Sequence, residues 1–494
     1  MSETVTIKRL ETGVPGLDNL LGGGLPEFSF NVIAGSPGSG KTTLAHQIMF
    51  SLANPNNRAL FFTVLGEPAL KMLRYQQQFP FFDINKINNS IRYVNLSADL
   101  LEGHFDRVLA RILQEVTDYS PTLVFVDSFR SVVQSGKHKD HGTSELQRLV
   151  QQLAMQMTSW QATTFLIGEY LTQEEESSPV FTVADGIIWM LQDVHRDAMM
   201  RKLQVIKMRG QAQRPGLHTF RINSSGIDVF PRAILNYDYG LRSEITGNPR
   251  LTIGVPALDE MMGGGLPVGY SLLAVGPSGC GKSMLSTEFL AEGERLGEPG
   301  VIAAFEKSPS QLLNGRLKKM VDSGSLSVID TQTLDLSIDE ILHDLVTLIR
   351  KKKAKRVVID SLSGFELALA ATFRENFRES LYRMVSVLTN MGVTVMMTAE
   401  LEDRYTDLRF SSYGNAFLTD AIVAMRYVVI NGQFRRVISV VKVRASQHSK
   451  DICFFDITSE GFKIGKALKK YQGILSGQPT LTTKSDGKDL ETFE

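Results

Sequence analysis

The chain repeats itself, and that repeat limits the folds open to it more than any other feature. Residues 12–18 (TGVPGLD) return as 253–259 (IGVPALD), and 22–26 (GGGLP) return as 263–267 in the same letters. Residues 35–42 (GSPGSGKT) match 276–283 (GPSGCGKS), 124–128 (VFVDS) match 357–361 (VVIDS), and 207–209 (KMR) match 442–444 (KVR). Five landmarks keep their order at offsets of 233 to 241 residues. The chain is therefore two copies of one unit of ordinary domain size. We expect domains over residues 1–235 and 246–475, joined near Pro231, Gly240, Gly247 and Pro249, and a polar, mobile tail over 476–494.

Within each copy, short apolar runs alternate with longer amphipathic stretches. Residues 28–34, 59–65, 123–126 and 163–168 read as strands, and 41–52 and 144–157 as helices. In the second copy the strands are 270–275, 301–305, 357–359 and 393–398, and the clearest helices are 338–351 and 375–389. Strands apolar on both faces, separated by helices, predict an α/β fold whose central sheets are mostly parallel and flanked by helices.

The pattern GxxxxGK[ST] occurs in both copies, each time after an apolar run and before a helical one. Glycines there let main-chain N–H groups curl round an anion, the lysine neutralises β- and γ-phosphates, and the hydroxyl ligates Mg²⁺. The helix that follows points its N-terminus at the phosphates. This assigns Gly35, Ser36, Pro37, Gly38, Ser39, Gly40, Lys41, Thr42 and Thr43 to one nucleotide site. Gly276, Pro277, Ser278, Gly279, Cys280, Gly281, Lys282, Ser283 and Met284 form the other. Asp127 and Asp360 each end an apolar strand, where a carboxylate associated with Mg²⁺ is expected. The metal set is thus Thr42, Ser283, Asp127 and Asp360, and the cofactors are ATP and Mg²⁺.

These segments resemble the RecA/DnaB superfamily, and their duplication in one chain resembles its KaiC-like group. The likeness runs from about residue 12 to 480 and includes 305–308 (FEKS), 311–313 (QLL), KVR at 442–444 with His448 and Lys450, and 476–480 (SGQPT). The resemblance implies two tandem RecA-like P-loop NTPase domains and a homohexamer with ATP between subunits. It also implies that Lys207 and Arg209, and Lys442, Arg444, His448 and Lys450, reach the nucleotide of a neighbour. A serine/threonine autokinase activity and a protein partner of signalling type belong to the same group.

Two segments depart from the family's pattern. Two adjacent carboxylates are expected after the second strand, where they polarise the attacking water. The second copy keeps one of them, Glu306, followed by Lys307. The first copy has Leu65 and Gly66 there, with Glu67 one residue late, and a one-residue slip on a strand reverses the side chain. Glu306 is the expected base, Glu67 the weaker candidate, and the first domain should hydrolyse ATP more slowly. The family's phosphorylated Ser-Thr pair aligns with Ala416 and Phe417, neither of which accepts a phosphoryl group. Ser411, Ser412, Tyr413 and Thr419 are the nearby hydroxyls. Glu169 and Glu400 end later strands, where a RecA-like fold can sense the γ-phosphate.

Charge and composition narrow the partners. The chain has 53 Lys plus Arg against 53 Asp plus Glu, so no broad basic footprint offers itself to nucleic acid. A DNA-dependent motor on the same scaffold is the alternative this balance disfavours. An ATP-binding scaffold with little turnover is the other. Residues 351–356 (KKKAKR) read as cations gathered at a helix C-terminus. Two cysteines exclude a disulfide framework. With no apolar run of membrane-spanning length, a cytoplasmic protein is the expectation.

Overall fold

A computed structural model describes residues 7–64, 69–101, 105–129, 142–170, 179–195, 198–233, 249–305, 315–329, 337–369, 374, 377–401, 419–458, 461–469, 471–472 and 479–481. The chain divides into two compact units, Met1–Arg232 and Ala233–Glu494.

The first unit is built on nine strands: β1 (Phe30–Gly35), β2 (Ala59–Thr63), β3 (Ile91–Asn95), β4 (Leu123–Asp127), β5 (Thr163–Glu169), β6 (Gly186–His195), β7 (Ala198–Met208), β8 (His218–Asn223) and β9 (Gly226–Phe230). Their spatial order is β3-β2-β4-β5-β1-β6-β7-β8-β9. The first six run parallel, and the last three continue the sheet antiparallel. The second unit has β10 (Ser271–Gly276), β11 (Gly300–Ala304), β12 (Leu326–Ile329), β13 (Arg356–Asp360), β14 (Thr394–Glu400), β15 (Ala421–Ile430), β16 (Gln433–Val443), β17 (Ile452–Thr458) and β18 (Gly461–Ala467). It repeats the order as β12-β11-β13-β14-β10-β15-β16-β17-β18. Sequence repeat and sheet topology therefore coincide strand for strand.

The central parallel strands are mostly apolar because each face meets its own core. In the first unit Val32, Ala34, Leu60, Phe62, Val124 and Val126 enter one core, with helices α2 (Phe105–Tyr119) and α3 (Gly142–Ser159) on that side. Their alternates Ile33, Phe61, Phe125, Phe165 and Ile167 enter the other, under α1 (Lys41–Leu52). This is the two-residue period of a strand divided between two layers. Phe61, Phe125 and Phe165 stack across three neighbouring strands, with ring centroids 5.9 and 4.6 Å apart. The second unit fills the corresponding register with Ile302, Val358 and Met396 beneath α4 (Lys282–Arg295). Its other face is covered by α5 (Ile338–Lys352) and α7 (Phe377–Asn390), with the short α6 (Leu362–Ala368) between them in the chain.

Beyond the KxR strands, the sequence analysis assigns neither the rest of the antiparallel wings β7–β9 and β16–β18 nor the edge strands β3 and β12, whose mixed faces carry a weaker apolar signal. The 351–356 run is not one helix end. Helix α5 closes on Arg350, Lys351 and Lys352, Lys353 turns left-handed, and Arg356 opens β13 fully buried. Within the expected tail, Thr480–Leu481 pairs antiparallel with Tyr471–Gln472. Two β-competent residues there find main-chain partners despite polar neighbours.

Candidate functional site: two phosphate loops and a distant cationic strand

Each phosphate loop leaves the carboxyl end of the central strand, β1 or β10, and feeds directly into α1 or α4. Gly38 and Gly40 take φ of 73° and 98°, and Gly279 and Gly281 take 76° and 116°, conformations that L side chains rarely adopt. The close packing at Gly35 also demands glycine: a Cβ there would lie 1.9 Å from the carbonyl oxygen of Met190 on β6.

In the first loop Lys41 is only 7% exposed, and its Nζ donates to the carbonyl oxygen of Ser36 at 2.8 Å. Burial lowers its pKa, while the carboxylates of Glu169 and Asp127 oppose that shift. Thr42 Oγ1 donates to Asp127 Oδ2 at 2.7 Å. Burial pushes the Asp127 carboxyl up to about 6, against the Thr42 hydrogen bond and the Lys41 charge, with Glu169 adding to the rise. Gly38, Gly40, Lys41, Thr42, Asp127 and Glu169 share one cavity of about 330 Å³. Thr43 and Ile222 also line it.

The second loop is similar but not identical. Lys282 Nζ donates to the carbonyl oxygens of Gly276 and Pro277, both at 2.8 Å. Asp360 Oδ1 accepts from the hydroxyl of Thr398 on β14, at a register where β5 carries Ile167. Cys280 is buried, and burial raises its thiol pKa, the opposite of a reactive thiolate. The sequence pair Glu169 and Glu400 lies opposite Gly35 and Gly276 in strand register. The peptide bonds Asp127–Ser128 and Asp360–Ser361 are both cis. Glu67 and Glu306, with Ala416 and Phe417, lie outside the described residues.

The loops fit a Mg-nucleotide. The hydroxyls of Ser36 and Ser39 are buried without a partner, as donors awaiting phosphate oxygens would be. Thr42 and Asp127 offer the hard oxygen ligands that Mg²⁺ prefers. Among the described residues no cluster of three His, Cys, Asp or Glu side chains could hold a metal unaided.

The cationic strands sit elsewhere. Lys207 pairs in register with Ile187, which pairs with Val32 near the start of β1; Gly35 ends that strand. Arg209, level with Phe30, therefore lies at the opposite end of the strands from its own phosphate loop, about 16 Å away along the strand direction at 3.3 Å per residue. Lys207 Nζ donates to the carbonyl oxygens of Phe181 and Thr182 at 3.4 and 3.3 Å, and Lys442 Nζ to that of Thr419 at 2.6 Å. Burial lowers both lysine pKa values, as does the adjacent arginine. Arg209 and Arg444 form ion pairs with Asp185 and Asp420. The sequence reading missed these two aspartates, although the repeat carries them at the KxR offset of 235 residues. His448 is half-buried and Lys450 exposed just beyond β16.

Comparison with known proteins decides the family. A family model described as "ATPase: KaiC" matches this chain twice, over residues 10–234 and 251–469. The chain belongs to the KaiC family. It is 29% identical to circadian clock protein KaiC3 of Synechocystis sp. over 99% of its length and 98% of that protein's. It is 27% identical to the circadian clock oscillator protein KaiC of Rippkaea orientalis, covering 99% of this chain and 94% of the relative. The same identity holds for KaiC of Thermostichus vulcanus, covering 98% and 94%. Both halves of the chain thus carry the ATPase fold of the KaiC family. Among the described residues no helix is long and apolar enough to cross a membrane.

Proposed function

We propose that this KaiC-family chain is a hexameric ATPase that binds Mg-ATP at both phosphate loops and uses nucleotide state to alter its contacts with a protein partner. The observation that carries this reading is the separation of the two halves of the site. Loop, lysine, hydroxyl and carboxylate converge at one end of the strands in each sheet, while KxR stands at the other. Such cations serve a phosphate only across a subunit boundary, so nucleotide would join neighbours into a ring.

In this reading Lys41 and Lys282 exchange their carbonyl partners for phosphate oxygens. Thr42 with Asp127, and Ser283 with Asp360, would hold Mg²⁺, which supplies charge neutralisation along the triphosphate. Arg209 and Arg444 stabilise charge on the γ-phosphate of the adjacent protomer. Glu306 orients water in the second ring, an assistance worth about 10²–10⁴-fold. The displaced Glu67 leaves the first ring slower. A chain of balanced charge supports a protein partner over nucleic acid. Clock-type autophosphorylation is not part of the proposal, because Ala416 and Phe417 carry no hydroxyl.

Steady-state phosphate release from Lys41→Ala and Lys282→Ala tests the division of labour. Loss of most turnover in Lys282→Ala, with a smaller loss in Lys41→Ala, is expected. The reverse pattern sinks the assignment of Glu306 as the stronger base. Mass spectrometry after incubation with Mg-ATP should show no stoichiometric phosphate on Ser411, Ser412 or Thr419.

A further inference from the structure

The two arginines of the KxR strands are held by one device built twice. Asp185 Oδ1 accepts from Arg209 Nη1 at 3.1 Å, and Asp420 Oδ1 accepts from Arg444 Nη1 at 3.2 Å. The other oxygen turns inward in both. Asp185 Oδ2 accepts the main-chain N–H of Phe30 at 3.0 Å, and Asp420 Oδ2 that of Ser271 at 3.0 Å, with Ser271 Oγ donating to it as well. The main chain closes the arrangement: the N–H of Arg209 donates to the carbonyl of Asp185 at 2.9 Å, and that of Arg444 to Asp420 at 2.8 Å. Phe30 and Ser271 are the first residues of β1 and β10, whose last residues, Gly35 and Gly276, open the phosphate loops.

Each arginine side chain remains more than half exposed, 58% and 55%, while the carboxylate holds its Nη1. Exposed ion pairs contribute little stability. What the pair does supply is direction. A free arginine samples many rotamers, whereas a guanidinium docked on a carboxylate is pre-organised.

We propose that Asp185 and Asp420 are positioning residues that aim Arg209 and Arg444 at the nucleotide of the adjacent protomer and tie that aim to the strand bearing the chain's own phosphate loop. The proposal rests on the trans-arginine reading above. It goes beyond that reading by naming the anchor, and by giving a path from each loop along one strand, then through a main-chain hydrogen bond and an ion pair, to the arginine presented next door.

Asp420→Asn is the informative variant, because the amide oxygen can still accept from Ser271 while the charge facing Arg444 is lost. It should be compared with Arg444→Ala and with the double variant. Light scattering would establish assembly, calorimetry with a non-hydrolysable ATP analogue would measure binding, and steady-state assays would separate kcat from KM. We expect Asp420→Asn to lower kcat about 10- to 100-fold, the scale of a misplacement near 1 Å. KM, analogue affinity and assembly should stay within about twofold, and the double variant should be no slower than Arg444→Ala. Wild-type kcat in an assembled Asp420→Asn ring, beside an impaired Arg444→Ala, overturns the anchor while leaving the trans-arginine reading intact. Wild-type kcat in Arg444→Ala removes both. Should Asp420→Asn fail to fold, Asp185→Asn in a Lys282→Ala background, where the assay reads first-ring turnover, poses the same question, with Arg209→Ala as its partner variant.

Discussion

A buried imidazole sets one pH response of this chain. His218, at the start of β8, is fully buried, and its Nδ1 accepts the main-chain N–H of Arg232 at 2.9 Å. Burial lowers its pKa to about 4, with the charges of Arg214 and Arg232 assisting. The unfolded chain therefore takes up a proton that the folded chain refuses as the pH drops from about 6.5 to 4, so stability falls with pH across that window. The full loss is about 3 kcal/mol at 1.36 kcal/mol per unit. His218→Asn, whose amide oxygen replaces Nδ1, should make the acid side of a plot of urea midpoint against pH shallower, with buried His46, lowered to about 4 as well, keeping the remaining slope. A second residue-scale test concerns Gly35. An added methyl meets the Met190 carbonyl on β6, main chain that cannot swing away. Gly35→Ala should cost about 1–3 kcal/mol, the usual range for overpacking, and should also weaken nucleotide binding at the first loop.

At the scale of elements, the two copies solve the same problem with different chemistry. Where β4 begins with Leu123, β13 begins with Arg356, completely buried. Its guanidinium donates twice to Glu298 Oε2, at 3.0 and 2.8 Å, and to the carbonyl oxygens of Thr252 and Phe289 at 2.8 and 3.0 Å. One side chain thus ties β13 to α4, to the loop before β11 and to the segment entering the second unit. Removing it takes a donor from two main-chain carbonyls and leaves Glu298 with Lys355 alone, 3.6 Å away, a loss of about 2–3 kcal/mol. Arg356→Ala should lower the urea midpoint of the second unit, while Leu123→Ala, which opens an apolar cavity, should act on the first. Limited proteolysis at intermediate urea can tell which half opened.

For the whole molecule, the central expectation is a ring that depends on nucleotide. Light scattering coupled to size exclusion should give six times the chain mass in Mg-ATP, and a smaller species once nucleotide and Mg²⁺ are removed. A mass that never changes with nucleotide would contradict sites shared between protomers. The equal numbers of acidic and basic residues make the same point about partners: recognition must come from shape and local charge, since no net field steers a polyanion to this chain.

What the letters alone determined was the part of the molecule governed by local rules. The duplication, the loop-and-helix signature of residues 35–52, the strand-ending aspartates and the α/β class follow from glycine freedom, apolar period and spacing. Those constraints act within a few residues, and they are legible there. Only tertiary structure decided which distant side chains meet. It brought Thr42 to Asp127 across strand order, gave Asp360 to Thr398, and buried Arg356 among main-chain carbonyls. It also set KxR at the far end of the strands, anchored by Asp185 and Asp420. An aspartate before a strand looks like any turn residue in sequence. Its role depends on how β6 and β7 fold back beside β1, a non-local pairing that no short window of residues records.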